Sequence, residues 1–142
     1  MQNKGQSLGV IDYGTGNLRS VVKAFEHLGA KVQILQDPDK LSNVDALVFP
    51  GQGTFDQCME ALERTGFSQA IKEWILSEKP FLGICLGAQM LAKNLGGTIK
   101  RSNDQSIEVG FYNLKPEGTG HKIFKHQKTF FQWHREGFST PN

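Results

Sequence analysis

The chain has 142 residues, 38% of them hydrophobic and 21% charged, the make-up of one soluble globular domain, 1–142, long enough to bury a core. Sixteen Lys and Arg against 14 Asp and Glu leave a formal charge of +2, and the basic residues are scattered, so neither nucleic acid nor an anionic membrane is expected as a partner. No apolar run approaches a membrane span, MQNKGQSLGVIDYG holds no export h-region, and Cys58 and Cys85 make no disulfide framework; reduced thiols in a cytoplasm are the expected setting.

In chain order, Leu8–Asp12 reads as a first strand, ended by Tyr13-Gly14-Thr15-Gly16-Asn17. A helical spacing then sets Leu18, Val21, Val22, Phe25 and Leu28 on one face, with Gly29 as its stop and Asn17 as its cap. Val32–Leu35 is a second strand, broken by Asp37-Pro38-Asp39, and Ala46–Phe49 a third, bounded by Pro50-Gly51-Gln52-Gly53. Helices are expected over Phe55–Glu63 and from Phe67 to Ile75, a fourth strand over Pro80–Ile84, and a helix over Leu86–Leu95, closed by Gly96-Gly97. Alternating strands and helices imply an α/β fold, a doubly wound, mostly parallel sheet with helices on both faces. The active site of such a sheet lies at the carboxyl ends of its strands. Asp12–Asn17, Pro50–Gly53 and Cys85–Gly87 should therefore meet in one crevice. Later, Thr98–Arg101, Val109–Leu114, Ile123–Phe124 and Thr129–His134 read as short strands of an antiparallel or mixed extension.

Cys85 stands in Gly83-Ile84-Cys85-Leu86-Gly87, after a strand and at the opening of a helix. Glycines two residues either side allow a strained strand-to-helix turn, and the helix N-terminus favours a thiolate and offers N–H groups to an oxyanion. The structural alternative is a small hydrophobe in the core beside a packing glycine. Pro50-Gly51-Gln52-Gly53 could supply the other half of an oxyanion hole, or could be an ordinary β-to-α connection. Asp12–Asn17 lacks the Lys-Ser/Thr of a phosphate loop and the full G-x-G-x-x-G, which rejects a nucleotide site. A thiol nucleophile also needs a base and an orienting group. His27, His121 and His126 read as solvated surface. His134, with Glu136 two residues on, could present both groups from one side of an extended segment, or be a strand-end His beside a surface Glu. No Cys/His/Asp/Glu grouping has metal-site spacing, and no cofactor is expected.

Taken together these segments resemble class I glutamine amidotransferases. The signature G-I-C-L-G-x-Q, Gly83 to Gln89, matches that family's nucleophile elbow. Ile11–Val21, Phe49–Phe55 and Lys79–Gly87 are most similar to the histidine-pathway branch, the glutaminase subunit of imidazole glycerol phosphate synthase. Gly87–Ala92, Leu95–Gly97, Glu108–Phe111 and Phe131–His134 look more like the GMP-synthase-related branch. The Pro-His-Met-Gly-Trp-Asn segment of the histidine-pathway branch is missing, so the chain resembles two branches joined near residue 90, as a natural intermediate, a recombinant or a chimera would.

The resemblance implies a domain that hydrolyses glutamine through a thioester on Cys85. Gly51, Gln52, Gly53 and Leu86 would form the oxyanion hole, and Gly51, Gln89 and His134 would contact the substrate. Ammonia would pass to a synthase (cyclase) subunit. The catalytic His-x-Glu pair of the family comes from a later segment, which implies a domain shortened at its C-terminus, or His134 and Glu136 standing in for that pair. A shortened domain would expose a sheet edge and favour association with another chain, a second copy included. Two other readings are an amidotransferase-like module that binds without turnover and a different Cys-elbow hydrolase related to peptidases.

Overall fold

The computed structural model describes residues 6–14, 18–101, 107–113, 115–116, 120–123, 129–134 and 136–139. Two compact units result, one running up to Thr98 and the other spanning Ile99–Ser139. The first carries strands β1 (Ser7–Ile11), β2 (Lys31–Leu35), β3 (Ala46–Gly51) and β4 (Phe81–Cys85) in one four-stranded sheet of order β2-β1-β3-β4. All three pairings are parallel.

Helix α1 (Arg19–His27) links β1 to β2, α2 (Phe55–Arg64) and α3 (Phe67–Leu76) link β3 to β4, and α4 (Leu86–Asn94) follows β4. The β1-to-β2 crossover runs across the sheet in the opposite sense to β3-to-β4. Right-handed connections therefore place α1 on one face and α2 with α3 on the other. The core lies on the α2–α3 face, where Ile11, Leu47, Phe49, Leu62, Phe67, Ile71, Trp74 and Met90 are buried together. β-branched and aromatic residues buried on both faces explain why β3 reads as a continuous apolar run rather than an alternating one.

Two local differences from the sequence pattern have simple causes. Pro38–Asn43 forms a 3-10 helix where only a chain break was expected; Asp37 caps it through a hydrogen bond from the Asp39 N–H, and Pro38 sits in its first turn. Leu28, expected on the buried face of α1, is the residue after the helix and is 79% exposed. Asn17, expected to cap α1, lies outside the described residues; Leu18 holds the cap position.

The second unit holds β5 (Ile99–Arg101) antiparallel to β8 (Glu136–Phe138), and β6 (Glu108–Asn113) antiparallel to β7 (Thr129–His134), with a short helix α5 (Gly120–Ile123). The helix corrects the strand expected at Ile123–Phe124: Ile123 closes α5, and Phe124 lies outside the described residues. Phe111 and Phe131, opposite one another across the β6–β7 pair, meet edge-on at 5.4 Å. Among the described residues no helix is long and apolar enough to cross a membrane.

Candidate active site

The site is built at the carboxyl ends of β1, β3 and β4. Cys85 is the last residue of β4 and the cap of α4, and its side chain is exposed. Its backbone has φ 55° and ψ −125°, a region that costs a residue with a side chain about 1–3 kcal/mol. That cost persists because the turn is over-determined by its neighbours. A Cβ on Gly83 would come within 2.8 Å of Ala88 Cα, so β4 and the first turn of α4 can lie this close only with glycine there. A Cβ on Gly87 would strike the Phe49 carbonyl oxygen, and one on Gly51 would fall 2.5 Å from the Leu86 carbonyl carbon and 2.8 Å from Leu86 Cβ. Helix α4 therefore begins directly against the backbone of β3.

This packing sets the electrostatics. The first N–H groups of α4, from Leu86 onward, have no partner within the helix and carry the positive end of its dipole. The nitrogen of Gly87 among them comes up against Gly51 at the end of β3. Gly51 is the register partner of Cys85 across the β3–β4 pair. Gly53 has φ +111°, a conformation that glycine alone adopts without strain, and this lets the chain turn from β3 into α2. Gln89 follows Cys85 by four residues, on the same side of α4, and is half-buried.

The end of β3 and the turn after it are anchored at one carbonyl each. The Tyr13 hydroxyl donates to the Pro50 oxygen at 3.2 Å, and the Cys58 thiol donates to the Gln52 oxygen at 3.1 Å. Both side chains are 1% exposed. The loop after β1 is fixed in turn: Asp12 accepts from Gly14 N–H at 3.1 Å and from Gln36 Nε2 at 2.8 Å. Tyr13 carries no role in the sequence reading, which rejects a nucleotide site and stops there. The signal was present, since an aromatic ring with a polar tip just past an apolar strand must bury the ring and find a partner for the hydroxyl.

In the second unit His134 and Glu136 sit on different strands, β7 and β8. His134 Nε2 lies 3.0 Å from Oε2 of Glu108, its register partner on β6. Glu136 accepts from Arg101 Nε at 3.1 Å, again from its register partner. His27 and His121 are exposed, and His126 lies outside the described residues. Among the described residues no three His, Cys, Asp or Glu side chains are grouped to hold a metal ion.

The arrangement is an exposed thiol on a strained strand-to-helix turn, beside helix N–H groups and facing a glycine turn. A nucleophile attacking a carbonyl or amide carbon uses these parts. The family model for "Glutamine amidotransferase class-I" matches residues 9–142. The HisH 2 component of imidazole glycerol phosphate synthase from Prochlorococcus marinus is 51% identical over 82% of this chain and 54% of its own length. The HisH component from Halalkalibacterium halodurans is 37% identical over 95% of this chain and 62% of its own length. The chain thus spans about half the length of the curated relatives it matches. A putative GMP synthase component from Thermoplasma acidophilum shares the fold, with a TM-score of 0.70, 19% identity and coverage of 96% of this chain and 68% of its own. The chain belongs to the class I glutamine amidotransferase family.

Proposed function

We propose that this chain carries the thiol chemistry of a glutaminase. The Cys85 thiolate attacks the side-chain amide carbon of glutamine, a sulfur–carbon bond forms, and the amide oxygen takes the negative charge. N–H groups at Leu86 and in the Gly51–Gly53 turn hold that oxyanion, each such donor worth about 3–4 kcal/mol of barrier. The intermediate collapses, the carbon–nitrogen bond breaks, and the amide nitrogen takes up the proton that the thiol gave up and leaves as ammonia. Water then cleaves the γ-glutamyl thioester to glutamate and returns the thiol. Gln89, one turn into α4, contacts the substrate glutamine. Likeness to proteins named as imidazole glycerol phosphate synthase subunits supports a synthase (cyclase) partner as the recipient of the ammonia.

One observation carries this reading: the positive φ of Cys85 on a turn whose glycines at 51, 83 and 87 each exclude a side chain. Strain of this kind is kept where it presents a reacting group. The test is labelling with an electrophilic glutamine analogue, with the adduct mapped by mass spectrometry. Cys85 should be modified and Cys58 spared, and glutamine should protect. A folded protein in which Cys85 stays unmodified refutes the reading.

A second reading, binding or acylation without turnover, is favoured by the pairing of His134 with Glu108 and of Glu136 with Arg101. Glutaminase assays on the chain and on His134→Ala decide between the two. Turnover that disappears with the substitution makes His134 the base and removes this second reading.

A further inference from the structure

The strand pairing leaves one rung at the active-site end that backbone cannot complete. β1 pairs with β3 only from Leu8↔Ala46 to Val10↔Val48, while β3 continues to Gly51 and stays paired with β4 to Gly51↔Cys85. Beyond Ile11 the chain keeps to β2, the Asp12 N–H going to the Leu35 carbonyl at 2.8 Å. Among the described residues, the last stretch of β3 therefore has a strand on one side only. Pro50 has no N–H, so its carbonyl is the one polar backbone group it presents, and a buried carbonyl without a donor is costly. Tyr13 supplies the donor from its side chain, at 3.2 Å.

The tyrosine is held where it must be to do this. Its ring meets Phe49 edge-on at 5.4 Å, and Phe49 meets Phe81 in the same manner at 6.2 Å, so an aromatic column links the loop after β1 to β3 and β4. The peptide Pro50–Gly51 is trans, as are all described peptides, so its oxygen and its N–H point to opposite sides. An oxygen fixed toward Tyr13 turns the Gly51 N–H toward β4, into the parallel ladder that sets the strand end from which the turn departs. The next carbonyl but one, that of Gln52, is fixed by Cys58. The peptide planes on either side of Gly51–Gln52 are thus both held.

We infer that Tyr13 is a positioning residue for the amide chemistry of Cys85: its phenol fixes the plane of the Pro50–Gly51 peptide and so aims the turn that faces the thiol. This rests on the reading of Cys85 as nucleophile with the turn as oxyanion donor. The consequence is selective. Removing the hydroxyl slows reactions that pass through an oxyanion and spares those in which the thiol reacts by simple displacement.

Two reagents separate these cases on the whole chain. A chloromethyl ketone derived from glutamine adds to the thiolate through a tetrahedral oxyanion before chloride leaves. Iodoacetamide is displaced at a saturated carbon and forms none. Tyr13→Phe, which keeps the ring on Phe49, should lower the rate of chloromethyl ketone labelling at Cys85 by about tenfold to a hundredfold and leave the iodoacetamide rate at the wild-type value. Phe49→Leu keeps the hydroxyl while loosening the ring beneath it, and should slow the ketone reaction by less. Equal loss with both reagents, an unchanged ketone rate in Tyr13→Phe, or the reverse ranking of the two variants overturns the inference. A wild-type Cys85 that takes iodoacetamide but shows no glutamine-protected reaction with the ketone overturns the glutaminase reading itself, and this inference with it.

Discussion

Gly51 and Cys85 are register partners at the carboxyl ends of β3 and β4, and the first turn of α4 closes over both. Cys85 and the turn after β3 are thereby placed by the same sheet ladder, so neither strand end can shift without breaking hydrogen bonds. A parallel pair is well suited to this, because both strand ends arrive on the same edge of the sheet. Pairing alone would leave α4 too far from β3 to bring its N–H groups to the turn. The missing side chains at Gly51 and Gly87 remove that separation.

Gly87→Ala tests the close approach. The added methyl meets the Phe49 carbonyl, which is backbone and cannot rotate aside, so α4 must move off β3. Stability should fall by about 1–3 kcal/mol in denaturant titration, and labelling of Cys85 by a glutamine analogue should fall with it. Gly137→Ala is the control, since a Cβ there meets open space, and it should lie within about 0.5 kcal/mol of wild type. Equal effects at the two positions would mean that the tight contact does not organise the elbow.

Strain at Cys85 gives a second expectation. Alanine keeps a Cβ and therefore the cost of φ 55°, whereas glycine relieves it at the expense of more freedom in the unfolded chain. Cys85→Gly should be more stable than Cys85→Ala by about 1 kcal/mol, the strain of about 1–3 kcal/mol less the entropy term, and both should lack glutaminase activity. An alanine variant as stable as the glycine variant would show that the turn relaxes once the thiol is gone.

Much of this was legible in the sequence because glycine and strand breakers are positional. G-x-C-x-G between an apolar run and a helical pattern already called for a tight strand-to-helix turn, and P-G-Q-G for a break at the end of β3. What was not legible is which backbone atom each glycine approaches, since Gly87 meets Phe49 from 38 positions earlier only through sheet order. The pairing of His134 with Glu108 was hidden for the same reason. Spacing offered Glu136, two residues away, as one of two readings, whereas cross-strand register joins His134 to a residue on β6. Leu28 shows the opposite limit, where helical periodicity continued past the point at which the helix stops.

At the opposite end of the sheet, Asp45 ties the start of β3 to β1. Its carboxylate accepts from the Ser7 N–H at 2.8 Å and from the Ser7 hydroxyl at 2.9 Å, while its own N–H donates to the Ser7 carbonyl. The backbone hydrogen bond from Ser7, aided by the hydroxyl and more weakly by Lys79, holds the Asp45 carboxyl below its ordinary value of 3.8. A carboxyl with a depressed folded-state pKa favours the fold above the ordinary value, and the benefit fades as pH falls through the depressed one. Acid unfolding of Asp45→Ala should accordingly show a shallower dependence on pH below the ordinary carboxyl range than wild type, with little change in slope near neutrality. Identical acid limbs would mean that the bonds to Ser7 persist when the carboxyl is protonated.

Cys58 offers the sharpest separation between packing and positioning. It is buried among the residues of the α2–α3 core, where a thiol ordinarily serves as a small hydrophobe. Here its sulfur also donates to the Gln52 carbonyl, 3.1 Å away, and a Cβ on Gly53 would lie 3.5 Å from it. Serine keeps the donor and sacrifices some fit, whereas alanine keeps the apolar character and removes the donor. If packing alone mattered, alanine would be the milder change for the reaction at Cys85. If the bond to Gln52 steadies the turn, Cys58→Ser should retain more of the wild-type rate with the glutamine chloromethyl ketone than Cys58→Ala, whichever variant is the more stable to denaturant. The two readouts are free to rank the variants in opposite orders, and it is the ketone rate that decides. A serine variant slower than alanine would confine Cys58 to the core and leave Tyr13 as the side chain that holds the turn.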